Sequence, residues 1–301
     1  MRSVEELSAR DATGRPFLRL DGFMLAILAA GIGVIYGGVV AGLWTDWWHD
    51  ENYAHGVLVV PAVCWLIWRQ RTALAAMPRT PSANGAFIVA LSLGVFLVGQ
   101  AAAEFFLIRL SLVGVLAGTV VQLLGWRQLR AVRVPVLLFI LAIPLPVLVL
   151  NQLAFPLQLL ASRFGVAMLS WIDIPVVREG NVILLQHATL EVAEACSGVR
   201  SLISILTLAL VYGSLTAQRR AVRLAIVAAA VPIVLLANGL RVAGAGIAAH
   251  VYGAGAASGF LHTFSGWIFF GGSVALLLTV ERGAVMIGRA TTAVAARRGR
   301  R

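Results

Sequence analysis

The sequence predicts an all-α integral membrane protein with about eight transmembrane helices, an interfacial helix and a short extracytoplasmic β-hairpin region. Three observations predict it. The 301 residues are 60% hydrophobic and 12% charged, with a mean hydropathy of +0.90, whereas soluble domains carry about 25% charged residues. Apolar runs long enough to cross a bilayer recur along the chain, each crossing needing roughly 17 to 25 residues. Every basic residue is an arginine, and the arginines fall in short clusters between those runs, the pattern by which a membrane chain encodes its orientation. A net charge of +11 would suggest nucleic acid for a soluble protein; here it is read as topology, and no nucleic-acid partner is expected.

The first run, Asp21 to Leu43, exceeds the apolar core of a signal peptide and is expected to stay as the first anchor. Further runs lie near 86 to 103, 105 to 125, 132 to 150, 199 to 217, 222 to 243 and 263 to 281. A shorter one, 55 to 68, counts as a span for two reasons. Trp47, Trp48 and Tyr53 at one end and Trp65 and Trp68 at the other read as interfacial aromatic belts, and the loop charges require a crossing there. The stretch 151 to 172 contains Pro156 and Arg163, and a crossing there would invert every later arginine loop, so it is expected to lie in the outer interface. The segment after it is rich in Val, Ile, Leu and Thr, with turn signals at Glu179, Gly180 and Asn181 and around His187 and Ala188. It reads as one or two β hairpins.

With the N-terminus cytoplasmic, the inner loops hold the clusters around Arg15, Arg71, Arg130, Arg220 and the C-terminal arginines, while Arg109, Arg163, Arg178, Arg200 and Arg241 remain outside. The chain is thus expected to be one polytopic domain, 1–301, of the cytoplasmic membrane. Its insertion at 151–195 faces the periplasm or exterior, and its basic tail at 283–301 is solvated in the cytoplasm.

Ionisable groups in membrane spans are costly, roughly 2.5 to 3.5 kcal/mol at a helix centre on the insertion scale, so the few present need a reason. Cys196 at the start of the sixth span, Asn238 and Arg241 near the end of the seventh and His262 at the start of the eighth fall on one bilayer face at one depth. A thiol becomes a nucleophile as thiolate, favoured by a helix N-terminus or a cationic neighbour, and Ser197 or Gly198 is a suitable cap. His262 is placed to take the thiol proton and return one to a leaving amine. Arg241 offers donors to an oxyanion or a substrate carbonyl, and Asn238 is placed to orient one of these groups. Taken singly, each has an ordinary alternative: a buried inert thiol, an arginine snorkelling to the interface, a hydrogen-bonded structural histidine. Glu194, with Glu191, reads either as part of a solvated acidic strand or as a partner of His262 or Arg200. No His or Cys pair has metal-ligand spacing, so no metal and no other cofactor is expected. A disulfide between the chain's two cysteines, Cys64 and Cys196, is not expected.

The motifs "ACSGVRSL", "NGLRV" and "HTFSGW", in that order on the last three spans, resemble the exosortase and archaeosortase family of membrane-embedded cysteine transpeptidases. The stretch "WTDWWHDENYAHGVLVVPAVCWLIWRQR", residues 44 to 71, is similar to that family's early signature. The resemblance covers nearly the whole chain. It implies Cys196 as nucleophile, Arg241 as the arginine of the transition state and His262 as acid and base. It further implies secreted substrates with a C-terminal sorting tail: a short signature such as Pro-Glu-Pro, a hydrophobic helix and a basic cluster. Cleavage would pass through a thioacyl intermediate that is handed to an acceptor. Tyr53 and His55 fall on the same outer face as the triad; His55 is open either to a substrate or supporting role or to a structural hydrogen bond with a loop carbonyl. Arg163, Arg178 and Arg200 are candidates to read an acidic residue of the signature. Two other functions fit a chain of this composition: a non-catalytic membrane scaffold for envelope polysaccharide export, and a small-solute transporter. The clustering of polar residues at one edge rather than the midplane speaks against the transporter.

Overall fold

A computed structural model describes residues 22–186, 188–192, 198–216, 220–253, 255 and 260–298. The helices are α1 Gly22–His49, α2 Gly56–Arg69, α3 Arg71–Ala76, α4 Asn84–Ala101, α5 Phe105–Leu123, α6 Trp126–Ala131, α7 Arg133–Leu141, α8 Val147–Trp171, α9 Val199–Thr216, α10 Arg220–Tyr252 and α11 Phe260–Arg298. Strands β1 Val176–Glu179, β2 Val182–Leu185 and β3 Thr189–Glu191 lie between α8 and α9. The protein is thus mostly helical, and among the described residues seven helices are long and apolar enough to cross a membrane: α1, α4, α5, α8, α9, α10 and, over Gly266–Met286, α11. The 14-residue α2 is a shorter apolar helix. The chain forms two compact units, Met1–Pro144 and Leu145–Arg301.

In the first unit, polar groups join helix ends that are distant in sequence. At one end Arg109 of α5 pairs with Asp46 of α1 at 2.6 Å. At that same end the Trp47 indole N–H donates to Ala142 O at 2.7 Å, and His55 Nε2 donates to Leu141 O at 3.3 Å. Glu104 caps α5 by accepting from the Phe106 amide at 3.2 Å, satisfying a donor that the first helical turn leaves unpaired. At the opposite end the backbone of Thr80 and Ser82 donates to Leu124 O and Val121 O, and Gln128 Nε2 donates to Pro78 O at 3.3 Å. Tyr36, Leu112 and Val115 pack between these ends, with the Tyr36 hydroxyl 3.0 Å from Ser111 Oγ. The acids Asp46, Asp50, Glu51 and Glu104 therefore gather at one end, and the loops bearing Arg69, Arg71, Arg79, Arg127 and Arg130 at the other.

Three expectations are redrawn here. The run 132 to 150 is not one helix: α7 ends at Leu141, after nine residues, and the chain is extended at Pro146 (φ −54°, ψ 139°) before α8 begins. Pro144 and Pro146 break it, because a proline lacks the amide that a continuing helix requires and disfavours helical dihedrals in the residue before it. Second, the helix expected over 151 to 172 begins at Val147 and carries Pro156 in its interior. Its length and hydropathy are those of a span, and those two properties do not separate a crossing from an interfacial position. Third, Trp47 and Tyr53, read as belt residues, are 5% and 2% exposed; both are core. Trp48, Trp65 and Trp68 are exposed.

In the second unit β1, β2 and β3 form an antiparallel sheet in sequence order, Arg178 opposite Ile183 and Ile183 opposite Leu190. Gly180, at φ +63°, makes the first turn. Ile183 is fully buried with Ala161 and Leu169 of α8, Val192 and Val242 of α10. Ser162 Oγ lies 3.0 Å from both Leu159 O and Gly180 O, tying the sheet's first turn to α8. The helices α9, α10 and α11 pack through Ile205, Ala209, Ile226, Ala230, Ile233, Val234 and Leu277. Their far end is fixed by Arg223 Nε donating to Gly213 O at 3.2 Å and by the Tyr212 hydroxyl donating to Glu281 at 3.5 Å. The segment expected as a solvated tail is helical as far as Arg298.

Candidate active site

Polar residues in α10 stand out because the helix is otherwise built of Ala, Val, Leu, Ile and Gly around them. Asn238 and Arg241 are three residues apart and therefore share a face. The two reach different neighbours.

Asn238 is 7% exposed and its carboxamide lies against Gly198. A Cβ built on Gly198 would stand 3.0 Å from Asn238 Cγ and 3.1 Å from Nδ2. Gly198 also sits at φ +80°, where a side chain strains the backbone. Two independent demands, conformation and space, thus fix glycine at this position. Its carbonyl accepts the first bond of α9, from the Leu202 amide at 2.8 Å, so the helix starts at Gly198 and Cys196 precedes that start by two residues.

Arg241 turns towards α11. Its guanidinium lies beside Gly266, where a Cβ would stand 3.7 Å from both Cζ and Nη2. Gly266 follows His262 by four residues, one turn of the same helix. The middle of α10 thus touches the turn that follows Cys196 through Asn238, and the helix that carries His262 through Arg241. Cys196, Ser197 and Glu194 lie outside the described residues, as does His187; His262 is within α11, and its side chain is not described. Arg200, in the first turn of α9, is half-buried. Arg163 is exposed on α8, and Arg178 donates to Gly180 O at 2.7 Å in its own hairpin. Among the described residues no group of three His, Cys, Asp or Glu side chains is arranged to hold a metal ion.

Tyr53 and His55 belong to the first unit. Their rings are 6.3 Å apart, Tyr53 is buried, and His55 is committed to the Leu141 carbonyl. Gly56 follows them because a Cβ there would overlap the Trp47 indole.

Gly266 is the site residue that sequence reasoning passed over. Its signal was the four-residue spacing from His262, which puts both on one helix face. That spacing acquires meaning only once an arginine is known to need the room.

No curated protein and no solved structure matches the chain. The profile of one protein family, described as transmembrane exosortase (Exosortase_EpsH), matches residues 47–279, a stretch that begins at the buried Trp47 and runs through Gly198, Asn238, Arg241 and Gly266. The chain belongs to the transmembrane exosortase family.

Proposed function

We propose that the protein is a membrane cysteine transpeptidase. In this reading it removes the C-terminal sorting tail of secreted proteins at the outer face of the cytoplasmic membrane and transfers the remaining acyl group to an acceptor. Membership of the exosortase family supports the class of substrate. The observation that carries the site is the double contact of α10, Asn238 with the turn after Cys196 and Arg241 with Gly266, one turn beyond His262.

The chemistry follows from the groups. His262 accepts the Cys196 proton, and the thiolate attacks the peptide carbonyl beside the sorting signature, forming a C–S bond. Arg241 donates to the resulting oxyanion, a placement whose removal typically costs about 10²- to 10³-fold in rate. As the intermediate collapses the C–N bond breaks, and the tail leaves as an amine carrying the proton returned by His262. An acceptor nucleophile, losing its proton to His262, then attacks the thioester; the C–S bond breaks and the thiol is restored. With five N–H donors in a planar fork and no acceptor, the guanidinium of Arg241 is suited to the oxyanion role and not to the proton transfer.

Sidedness follows from the same reading. The arginine-bearing loops of the first unit face the cytoplasm, and the end that carries Asp46, Glu104 and Ala142 faces outwards. Since α8 starts five residues after Ala142, it begins at the outer surface, and a position along that surface is what keeps the later loop with Arg219, Arg220 and Arg223 on the cytoplasmic side.

The test is to trap a thioacyl adduct. Full-length protein is incubated with a tail-bearing substrate, and the adduct on Cys196 is located by mass spectrometry. The reading expects an adduct in the native protein, none in Cys196→Ala, and an adduct reduced by at least tenfold in His262→Ala. Tail processing that persists in Cys196→Ala would end it.

A further inference from the structure

A polar side chain buried in an apolar helix is unfavourable unless a partner satisfies it, so each one needs an account. Most of those in this protein have one. Ser92 and Ser273 donate to carbonyls one turn back in their own helices, Gln128 donates to Pro78 O, and Arg109 is paired with Asp46. Ser162 of α8 reaches Gly180 O. Gln158, one turn before Ser162 on α8, is different. It is 7% exposed, and no hydrogen bond or ion pair joins its carboxamide to another of the described residues.

Gln158 shares a stripe with Ala154, Ala161, Gly165 and Leu169, spaced three and four residues apart along α8, and so lies on one face with them. That face meets α10 closely. A Cβ on Gly165 would overlap Val242, one on Gly239 would overlap Phe164, and one on Gly246 would overlap Leu169. Gly239 is the residue after Asn238, and Phe164 is six residues after Gln158, a rise of about 9 Å along the helix. The carboxamide is thus buried in the seam of α8 and α10 within that rise of the point where α8 touches the neighbour of Asn238. An apolar side chain of the same length would suit the seam better for stability alone, and a residue that breaks this local rule points to a functional demand.

The chemistry of the group narrows the ligand. A carboxamide presents a donor and an acceptor side by side, and a peptide amide offers the complementary pair. Phosphate and ester oxygens of a lipid accept only. The hydrophobic helix of a sorting tail pairs its own amides internally, so the amides left to offer lie in the stretch outside that helix, beside the attacked carbonyl.

We propose that Gln158 is a substrate-binding residue, its carboxamide pairing in the seam of α8 and α10 with a main-chain amide of the sorting tail between the attacked carbonyl and the tail's hydrophobic helix. This rests on the transpeptidase reading and adds to it the place where the tail is held.

The experiment uses the full-length protein in proteoliposomes and compares native protein with Gln158→Met, which keeps the length of the side chain and removes its donor and acceptor. Thermal unfolding in detergent should show Gln158→Met to be as stable as the native protein or more so, because an unpaired buried polar group has been removed. For a tail-bearing substrate, KM should rise about tenfold with kcat within about twofold, the signature of lost ground-state binding. In a Cys196→Ala background, where no turnover occurs, a fluorescent tail peptide should bind about tenfold more weakly once Gln158→Met is added. A series of peptides methylated at one backbone nitrogen at a time identifies the partner. One position should weaken binding to the Cys196→Ala protein about tenfold and should cost nothing further when Gln158→Met is present, as directly coupled groups behave. Gln158→Asn, which draws the carboxamide back by one methylene, carries the same comparisons if Gln158→Met does not accumulate.

A Gln158→Met protein that unfolds at lower temperature would assign the carboxamide to holding the fold and overturn the proposal. So would unchanged KM and peptide affinity, or methylation effects equal in the two proteins. The transpeptidase reading fails separately: native protein would then leave the tail uncleaved while binding it in a manner that still depends on Gln158.

Discussion

Trp47 donates its indole N–H to the carbonyl of Ala142, the residue four places before Pro146. In a continuing helix that carbonyl would accept from the amide of residue 146, and proline has none. Trp47 supplies the missing donor from α1, and His55 serves the neighbouring Leu141 carbonyl in the same way. The early tryptophan and histidine motif is thus a cap, built from another part of the chain, for a helix that prolines have cut short.

Trp47→Phe keeps most of the volume and removes the donor. It should lower stability by about 1–3 kcal/mol, the usual consequence of leaving a buried carbonyl unpaired. Thermal unfolding in detergent reads this, with Trp48→Phe as the control. Trp48 is 65% exposed, and its replacement should change stability by no more than about 0.5 kcal/mol.

Arg109 is 10% exposed and its partner Asp46 37%. Asp46→Asn leaves a nearly buried guanidinium without its counter-charge, while water still reaches the other side of the pair. The expected loss is about 1–2 kcal/mol, below the value for a fully buried pair. Combining Asp46→Asn with Arg109→Met should recover part of that loss, because the stranded charge is gone. Additive losses in the double variant, measured by the same unfolding assay, would show that the pair is not coupled.

Space beside Arg241 sets a graded expectation at Gly266. A methyl group would meet the guanidinium at 3.7 Å, an ordinary contact, so Gly266→Ala should process tails within about threefold of the native rate. Gly266→Leu must push the guanidinium aside and should cost roughly 10²-fold in kcat, comparable to losing an oxyanion donor. Equal activity of both variants would place Arg241 outside the chemistry.

Sidedness can be read by labelling. In a Cys64→Ser, Cys196→Ala background, single cysteines at Val149 and Trp171 should both react with an impermeant maleimide added outside intact cells, whereas one at Arg130 should react only after permeabilisation. Both ends of α8 are exposed. If either position reacted only after permeabilisation, α8 would cross the membrane and the surface position proposed for it would be wrong.

Much of this fold is written in patterns that a single sequence exposes. Long apolar runs mark α1, α4, α5, α9, α10 and α11, and alternation around Gly180 marks the sheet. Asn238 and Arg241 were visible because polar groups in an apolar helix have few ordinary explanations. The break at Ala142 was harder to see, since hydropathy runs unchanged through Ile143, Pro144, Leu145 and Pro146, whereas the backbone responds to the missing amides. Trp47 and Tyr53 misled because an amphipathic aromatic at a membrane edge and one buried in a helix junction have the same local composition. Gly266 was silent because an absent side chain means something only beside the neighbour that fills its place.

The ion pair between Asp46 and Arg109 joins α1 to α5 across the whole of α2, α3 and α4. A ribosome delivers Asp46 long before Arg109, so the carboxylate must wait at the rim of the nascent bundle until its guanidinium is synthesised. The timing of manufacture is thereby inscribed in the finished architecture: a chain halted before Phe105 has the first anchor in place and no latch to close it.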